Sequence, residues 1–87
     1  MIKIIAEASV PFLRGVAEQY ADIEYIDNKD ITSERIRSAD SLIVRSITKC
    51  TADLLDGSSV RFIATVTAGT DHIDADYCVA HNIAWTN

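Results

Sequence analysis

Two short stretches of this chain hold residues suited to binding an anion. Arg45-Ser46-Ile47-Thr48-Lys49 carries two cations and two hydroxyls, with no acid between Asp40 and Asp53. Guanidinium, hydroxyl and backbone N–H groups are the natural partners of carboxylate or phosphate. Read in isolation, the same stretch is also a solvated loop with a capping threonine. The second stretch is Thr67-Ala68-Gly69-Thr70-Asp71-His72. Gly69 has no Cβ and lets the backbone approach a ligand closely. Consecutive N–H groups beside a helix start form an anion-binding concavity. The plainer reading is a βα turn in which Gly69 relieves a bend and Asp71 or Asp74 caps the helix. His72 alone reads as a surface or packed histidine, and Tyr77 and Trp85 read as packing groups.

The elements that must position these loops follow from apolar patterning. Strands are expected at residues 2–5, 23–26, 42–44, 62–66 and 83–85, where β-branched and apolar residues cluster. A first helix is expected from Ser9 and Pro11, carrying Phe12, Leu13, Val16, Ala17 and Tyr20 at helical spacing. Thr32 or Ser33 is expected to cap a short helix through Ile36. Thr51 opens another with Leu54 and Leu55, closed by Gly57. Asp74 caps the last helix, with Tyr77, Cys78 and Ala80 inward and Asn82 in a left-handed turn at its end. This alternation implies a parallel sheet with helices on both faces. Right-handed crossovers restrict the winding. The expected fold is α/β, a flavodoxin-like three-layer sandwich with a five-stranded parallel sheet in the order 2-1-3-4-5. Ligands of such sheets bind beyond the carboxyl ends of the strands. That puts residues 6–9, 45–49, 67–72 and 86–87 on one rim.

Composition narrows the partners. A chain of 87 residues makes one small domain, and 48% hydrophobic residues suit a packed core. A net charge of −5 argues against nucleic acid, which calls for a basic surface. No apolar run is long enough to span a bilayer, and the layout reads as cytosolic. Cys50 and Cys78 read as two reduced thiols. Neither they nor His72 and His81 have metal-ligand spacing, so no metal is assigned.

Residues 39–49, Ala-Asp-Ser-Leu-Ile-Val-Arg-Ser-Ile-Thr-Lys, and residues 62–74, Phe-Ile-Ala-Thr-Val-Thr-Ala-Gly-Thr-Asp-His-Ile-Asp, resemble the D-2-hydroxyacid dehydrogenase family. The G-x-D-x-I-D pattern of residues 69–74 marks the wider family. The V-R-S-I-T-K and T-A-G-T-D-H-I-D segments point to a narrower branch that acts on a small anionic phosphorylated hydroxy acid. The resemblance implies NAD-dependent oxidation of a 2-hydroxyl by the complete enzyme, and a homodimer. Ser46 and Thr67 match substrate-contacting positions. The Ala68 and Gly69 amides match the family's carboxylate-binding loop, and Arg45 and Lys49 are read as charge partners of the substrate.

The chain also departs from the family pattern. After the first strand the family often carries an acid and an asparagine or similar group; here Ala6 and Ala8 leave Glu7 alone. No G-x-G-x-x-G occurs, since the glycines are Gly15, Gly57 and Gly69. No catalytic arginine, glutamate or histidine is carried over onto this chain. Residues 1–87 are therefore expected to be the N-terminal part of a substrate-binding domain, without the nucleotide-binding domain, and inactive alone. Their task would be to hold the carboxylate and orient the reacting carbon, with a second domain closing over the cleft. Two alternatives stand beside this. One keeps the family with another substrate, such as phosphoglycerate. The other is a free-standing flavodoxin-like binding or signalling module. Against a phosphoacceptor module, Arg45-Ser46 stands after the third strand where an aspartate would be required.

Overall fold

The computed structural model describes residues 2–10, 21–66 and 69–86. Their strands are β1 (Lys3–Glu7), β2 (Asp22–Ile26), β3 (Ser41–Val44), β4 (Phe62–Thr65) and β5 (Ala84–Thr86). Two short helices are described, α1 (Ala52–Leu55) and α2 (Ala75–Ala80). The strands form one sheet in the order β2-β1-β3-β4-β5, and every pairing is parallel. This is the expected fold and order. The first expected helix lies within residues 11–20, outside the described residues.

Register explains where the core sits. Ile5 lies level with Leu42, Leu42 with Ile63, and Ile63 with Trp85. In-register neighbours of a parallel sheet point to the same face. Ile5, Leu42 and Ile63 are fully buried there. The crossovers from β2 to β3, β3 to β4 and β4 to β5 all run in one direction across the sheet. Right-handedness therefore places all three on this face. They contribute Ile31, Ile36 and Ala39, then Cys50, Leu54, Leu55 and Val60, then Ile73, Cys78 and Ile83 to a single core cluster.

The helix ends follow their residue types. Asp74 Oδ1 accepts from the Tyr77 amide at 3.1 Å, capping α2. Asn82 has φ 58°, the left-handed turn expected of it. The Ile83 amide then donates to Cys78 O and the Asn82 amide to Val79 O. This bond pair is the glycine-type helix stop with asparagine in the glycine's place, and Ile83 packs back into the core. Gly57 takes φ 78° just past α1. Ala80, expected to face inward, is exposed.

The expected helix over residues 32–36 is replaced by consecutive turns over residues 33–38. Its cap does form, with Thr32 Oγ1 accepting from the Arg35 amide at 3.3 Å. One i→i−4 bond follows, Ile36 to Thr32, and then Ala39 bonds back to Ile36 O. A single turn does not offset the cost of helix nucleation. Burying both Ile36 and Ala39 before β3 favours the tighter turn. A 3-10 turn at Asn28–Asp30 has no counterpart in the sequence expectations.

Burial pushes the Cys50 thiol up to about 12, with Cys78 and Glu7 nearby adding to it. Burial raises Cys78 as well. Both are then inert thiols rather than reactive ones. Iodoacetamide at neutral pH should leave both unlabelled in the native protein and label both fully in urea, read by peptide mapping. Fast native labelling of Cys50 would contradict this core placement.

Candidate functional site

The carboxyl rim is built outward from a buried acid. Glu7 is the last residue of β1 and is 1% exposed. Ile5 and Glu7 alternate on the core face, so Glu7 continues that row inward, level with Ile26 of β2. Its carboxylate accepts on both oxygens. Oε1 takes the Thr48 hydroxyl at 2.6 Å and the Arg45 amide at 3.3 Å. Oε2 takes the Ser9 hydroxyl at 2.6 Å. The Thr48 oxygen in turn accepts from Asn28 Nδ2 at 2.8 Å. One side chain thus ties together the ends of β1 and β3 and the segment following β2.

Residues 45–48 form a turn over this acid, with the Thr48 amide donating to Arg45 O at 3.2 Å. Arg45, Ser46 and Ile47 are exposed on it, and Thr48 is buried beneath. The Arg45 guanidinium reaches Ser9 O at 3.4 Å. Among the described residues the ion pair is Arg35 with Glu24, and Arg45 has no acidic partner among them. Asp40, a potential partner in sequence, accepts instead from the Lys3 amide at 2.9 Å.

The second loop is joined to the first. The Cys50 amide donates to His72 O at 2.7 Å and the Asp74 amide to Cys50 O at 3.0 Å. Cys50 and Ile73 form a parallel bridge there. His72 is 3% exposed, with Nε2 2.7 Å from Thr65 Oγ1. Burial and then the Lys49 charge hold its imidazole below the ordinary value of 6.5, with Asp71 and Glu7 opposing. His72 is therefore a neutral packed group under the loop. Gly69 is exposed, and a Cβ built on it meets no described atom within 4 Å. Its φ lies outside the left-handed region, so neither packing nor a turn within the described chain requires glycine there.

Of the residues singled out in the sequence, Arg45 and Ser46 share the turn after β3, and Gly69 lies in the loop after β4. Thr67 and Ala68 lie outside the described residues. Lys49 faces elsewhere. It lines an open cleft of about 360 Å³ with Asn28, Thr32, Thr48 and Thr51, which Arg45 and Ser46 do not border. Three supports were not identified from sequence: Glu7 as anchor, with Thr48 and Asn28 as struts. The signal for Glu7 was its place two residues after the inward Ile5 at the end of an apolar strand. Among the described residues no group of three or more histidine, cysteine, aspartate or glutamate side chains could hold a metal, and no helix is long and apolar enough to cross a membrane.

A parallel sheet of this order, with its loops gathered at the carboxyl edge, defines a doubly wound α/β domain. Two solved structures share it. NAD+-bound 3-phosphoglycerate dehydrogenase of Entamoeba histolytica matches with a TM-score of 0.81 at 30% identity, over 99% of this chain and 32% of that one. D-lactate dehydrogenase of Aquifex aeolicus, complexed with NAD and lactic acid, matches with a TM-score of 0.78 at 26% identity, over 97% and 27%. The chain belongs to the D-isomer specific 2-hydroxyacid dehydrogenase family, whose catalytic domain matches residues 1–87. Erythronate-4-phosphate dehydrogenase of Porphyromonas gingivalis is 56% identical to it over 86 residues, covering 99% of this chain and 23% of that protein. The chain thus spans about a quarter of the length of the curated relatives it matches.

The neutral His72 has a consequence for stability. The unfolded chain holds this proton more tightly than the folded one, so below 6.5 the unfolded state binds more protons. The contribution is complete above 6.5 and is lost as pH falls toward the folded-state value. Urea midpoints of the whole protein and of His72→Gln, taken from about pH 8 to about pH 5, should show the wild type declining more steeply below 6.5. Parallel curves would contradict the burial argument.

Proposed function

We propose that this chain is the substrate-binding part of an NAD-dependent 2-hydroxyacid dehydrogenase. Its substrate in this reading is 4-phospho-D-erythronate, oxidised at the 2-hydroxyl in pyridoxal phosphate biosynthesis by a cytoplasmic homodimer. The 56% identity with a relative named for erythronate 4-phosphate, over nearly the whole chain, carries the choice of substrate. The geometry supports the choice of task. Two loops bonded to each other at the carboxyl rim offer an exposed hydroxyl, an exposed guanidinium and an exposed glycine.

In this reading Ser46, Thr67 and the Ala68 and Gly69 amides hold the substrate carboxylate. Arg45 neutralises an anionic end, and Lys49 adds positive potential from the neighbouring cleft. Holding the acid in one orientation lowers the entropic part of the barrier. The residues described here do not fit a dinucleotide. No glycine-rich strand-to-helix turn exists among them, and Gly57 and Gly69 belong to separate loops. NAD is therefore assigned to the remainder of the whole protein. The likeness to 3-phosphoglycerate dehydrogenase supports phosphoglycerate as a second substrate reading.

The whole enzyme should show a higher kcat/KM with 4-phospho-D-erythronate than with 3-phospho-D-glycerate. A charge-assisted bond to an anion contributes about 1.5–3 kcal/mol. Arg45→Ala should therefore lower kcat/KM by about ten- to a hundred-fold, and Arg45→Lys should restore it in part, since the planar fork is lost. Gly69→Ala should raise KM while the urea midpoint stays near wild type, because the added methyl meets no described protein atom and, in this reading, faces the substrate. Unchanged kcat/KM in both alanine variants would remove this rim from the substrate site.

A further inference from the structure

The acid beneath the rim does more than fill a core position. Glu7 Oε1 receives both the Arg45 amide and the Thr48 hydroxyl, the two ends of one four-residue turn. The residues between them, Ser46 and Ile47, are held outward by that double attachment. The second oxygen fixes Ser9, whose backbone carbonyl receives the Arg45 guanidinium. A single carboxylate thus sets the backbone of the turn and the resting place of its cation. The chain of donors runs one way: Asn28 donates to Thr48, and Thr48 donates to Glu7. The Thr48 hydroxyl thus accepts from Asn28 and gives its one proton to Glu7.

We infer that Glu7 is a positioning residue of the substrate site, acting through Arg45 and Thr48 to hold the 45–48 turn in its binding geometry. This rests on the reading that Ser46 and Arg45 meet the hydroxy acid. A negative charge under an anion-binding loop opposes substrate by itself, but its lone pairs are taken by the Ser9 hydroxyl and by the loop's own Arg45 amide and Thr48 hydroxyl. Preorganisation outweighs that repulsion when the loop would otherwise have to be ordered by the substrate. Glutamine keeps one oxygen for Arg45 and Thr48, and its amide can donate to the Ser9 hydroxyl, which rotates to accept. Alanine supplies neither group.

The test uses the whole enzyme with NAD and 4-phospho-D-erythronate. Glu7→Ala should raise KM for the acid at least about ten-fold while KM for NAD stays within about two-fold. Glu7→Gln should recover most of that loss. Thr48→Val, nearly isosteric, should reproduce the Glu7→Ala pattern in milder form, and it carries the test if Glu7→Ala does not fold. A purely structural role predicts lower stability and yield with both KM values unchanged in the folded fraction, and that result overturns the inference. Sensitivity to Ser46→Ala and Arg45→Ala without sensitivity at Glu7 or Thr48 overturns it while leaving the substrate site in place. Insensitivity at all four positions removes the substrate-site reading and this inference together.

Discussion

The rim depends on a carboxylate that has left water. Glu7 sits in the core row of the sheet with 1% exposure, and a buried charge is tolerated where its lone pairs are met. Here they are met by two hydroxyls and one amide from two separate parts of the chain, Ser9 and the 45–48 turn. Each such donor left unpaired would cost about 1–3 kcal/mol, a large fraction of a small domain's total stability. The turn after β3 therefore cannot drift without exposing that cost. A second buried polar contact, His72 with Thr65, does the same for the loop after β4. The bonds of Cys50 to His72 and Asp74 join the two loops. The polar supports of this edge are buried, although Arg45, Ser46 and Gly69 on it are exposed.

The two faces of the sheet have different roles. Three crossovers share one face and enclose the core. On the other face, level with one another, Phe62 and Ala84 are exposed, and Ala64 is half-buried. The proposed site lies on neither face but at the edge between them, where strand ends stop at similar heights. Val44 lies level with Thr65, and Glu7 with Ile26. That common height follows from parallel pairing, and it is what lets loops distant in sequence act as one surface.

Much of this was legible in the sequence because it rests on local rules. β-branched runs gave strands, Asp74 gave a cap, and Asn82 gave a helix stop, each through backbone chemistry within a few residues. The crossover rule restricted the winding, and the flavodoxin-like order chosen within it is the one found. The turn at residues 33–38 was misread as helix because capping chemistry was present but the burial of Ile36 and Ala39, a tertiary demand, decided the geometry. Glu7 was seen but given no task. Its partners stand 38 and 41 residues away, and no local pattern reveals such a pairing. Thr48 was counted with the anion-binding hydroxyls, while its proton is committed inward to Glu7. Lys49 was grouped with Arg45 by sequence proximity, and the turn sends it to a different cleft.

The central claim is that the carboxyl rim, through residues 45–49 and 67–72, receives the hydroxy acid. Hydrogen exchange of the whole protein, with and without 4-phospho-D-erythronate, addresses it directly. Slowed amide exchange at residues 45–48 and 67–70, with no change at residues 58–61 on the amino edge, is the predicted result. Unchanged exchange across both rim loops at saturating acid, or protection centred on the amino edge, would contradict it.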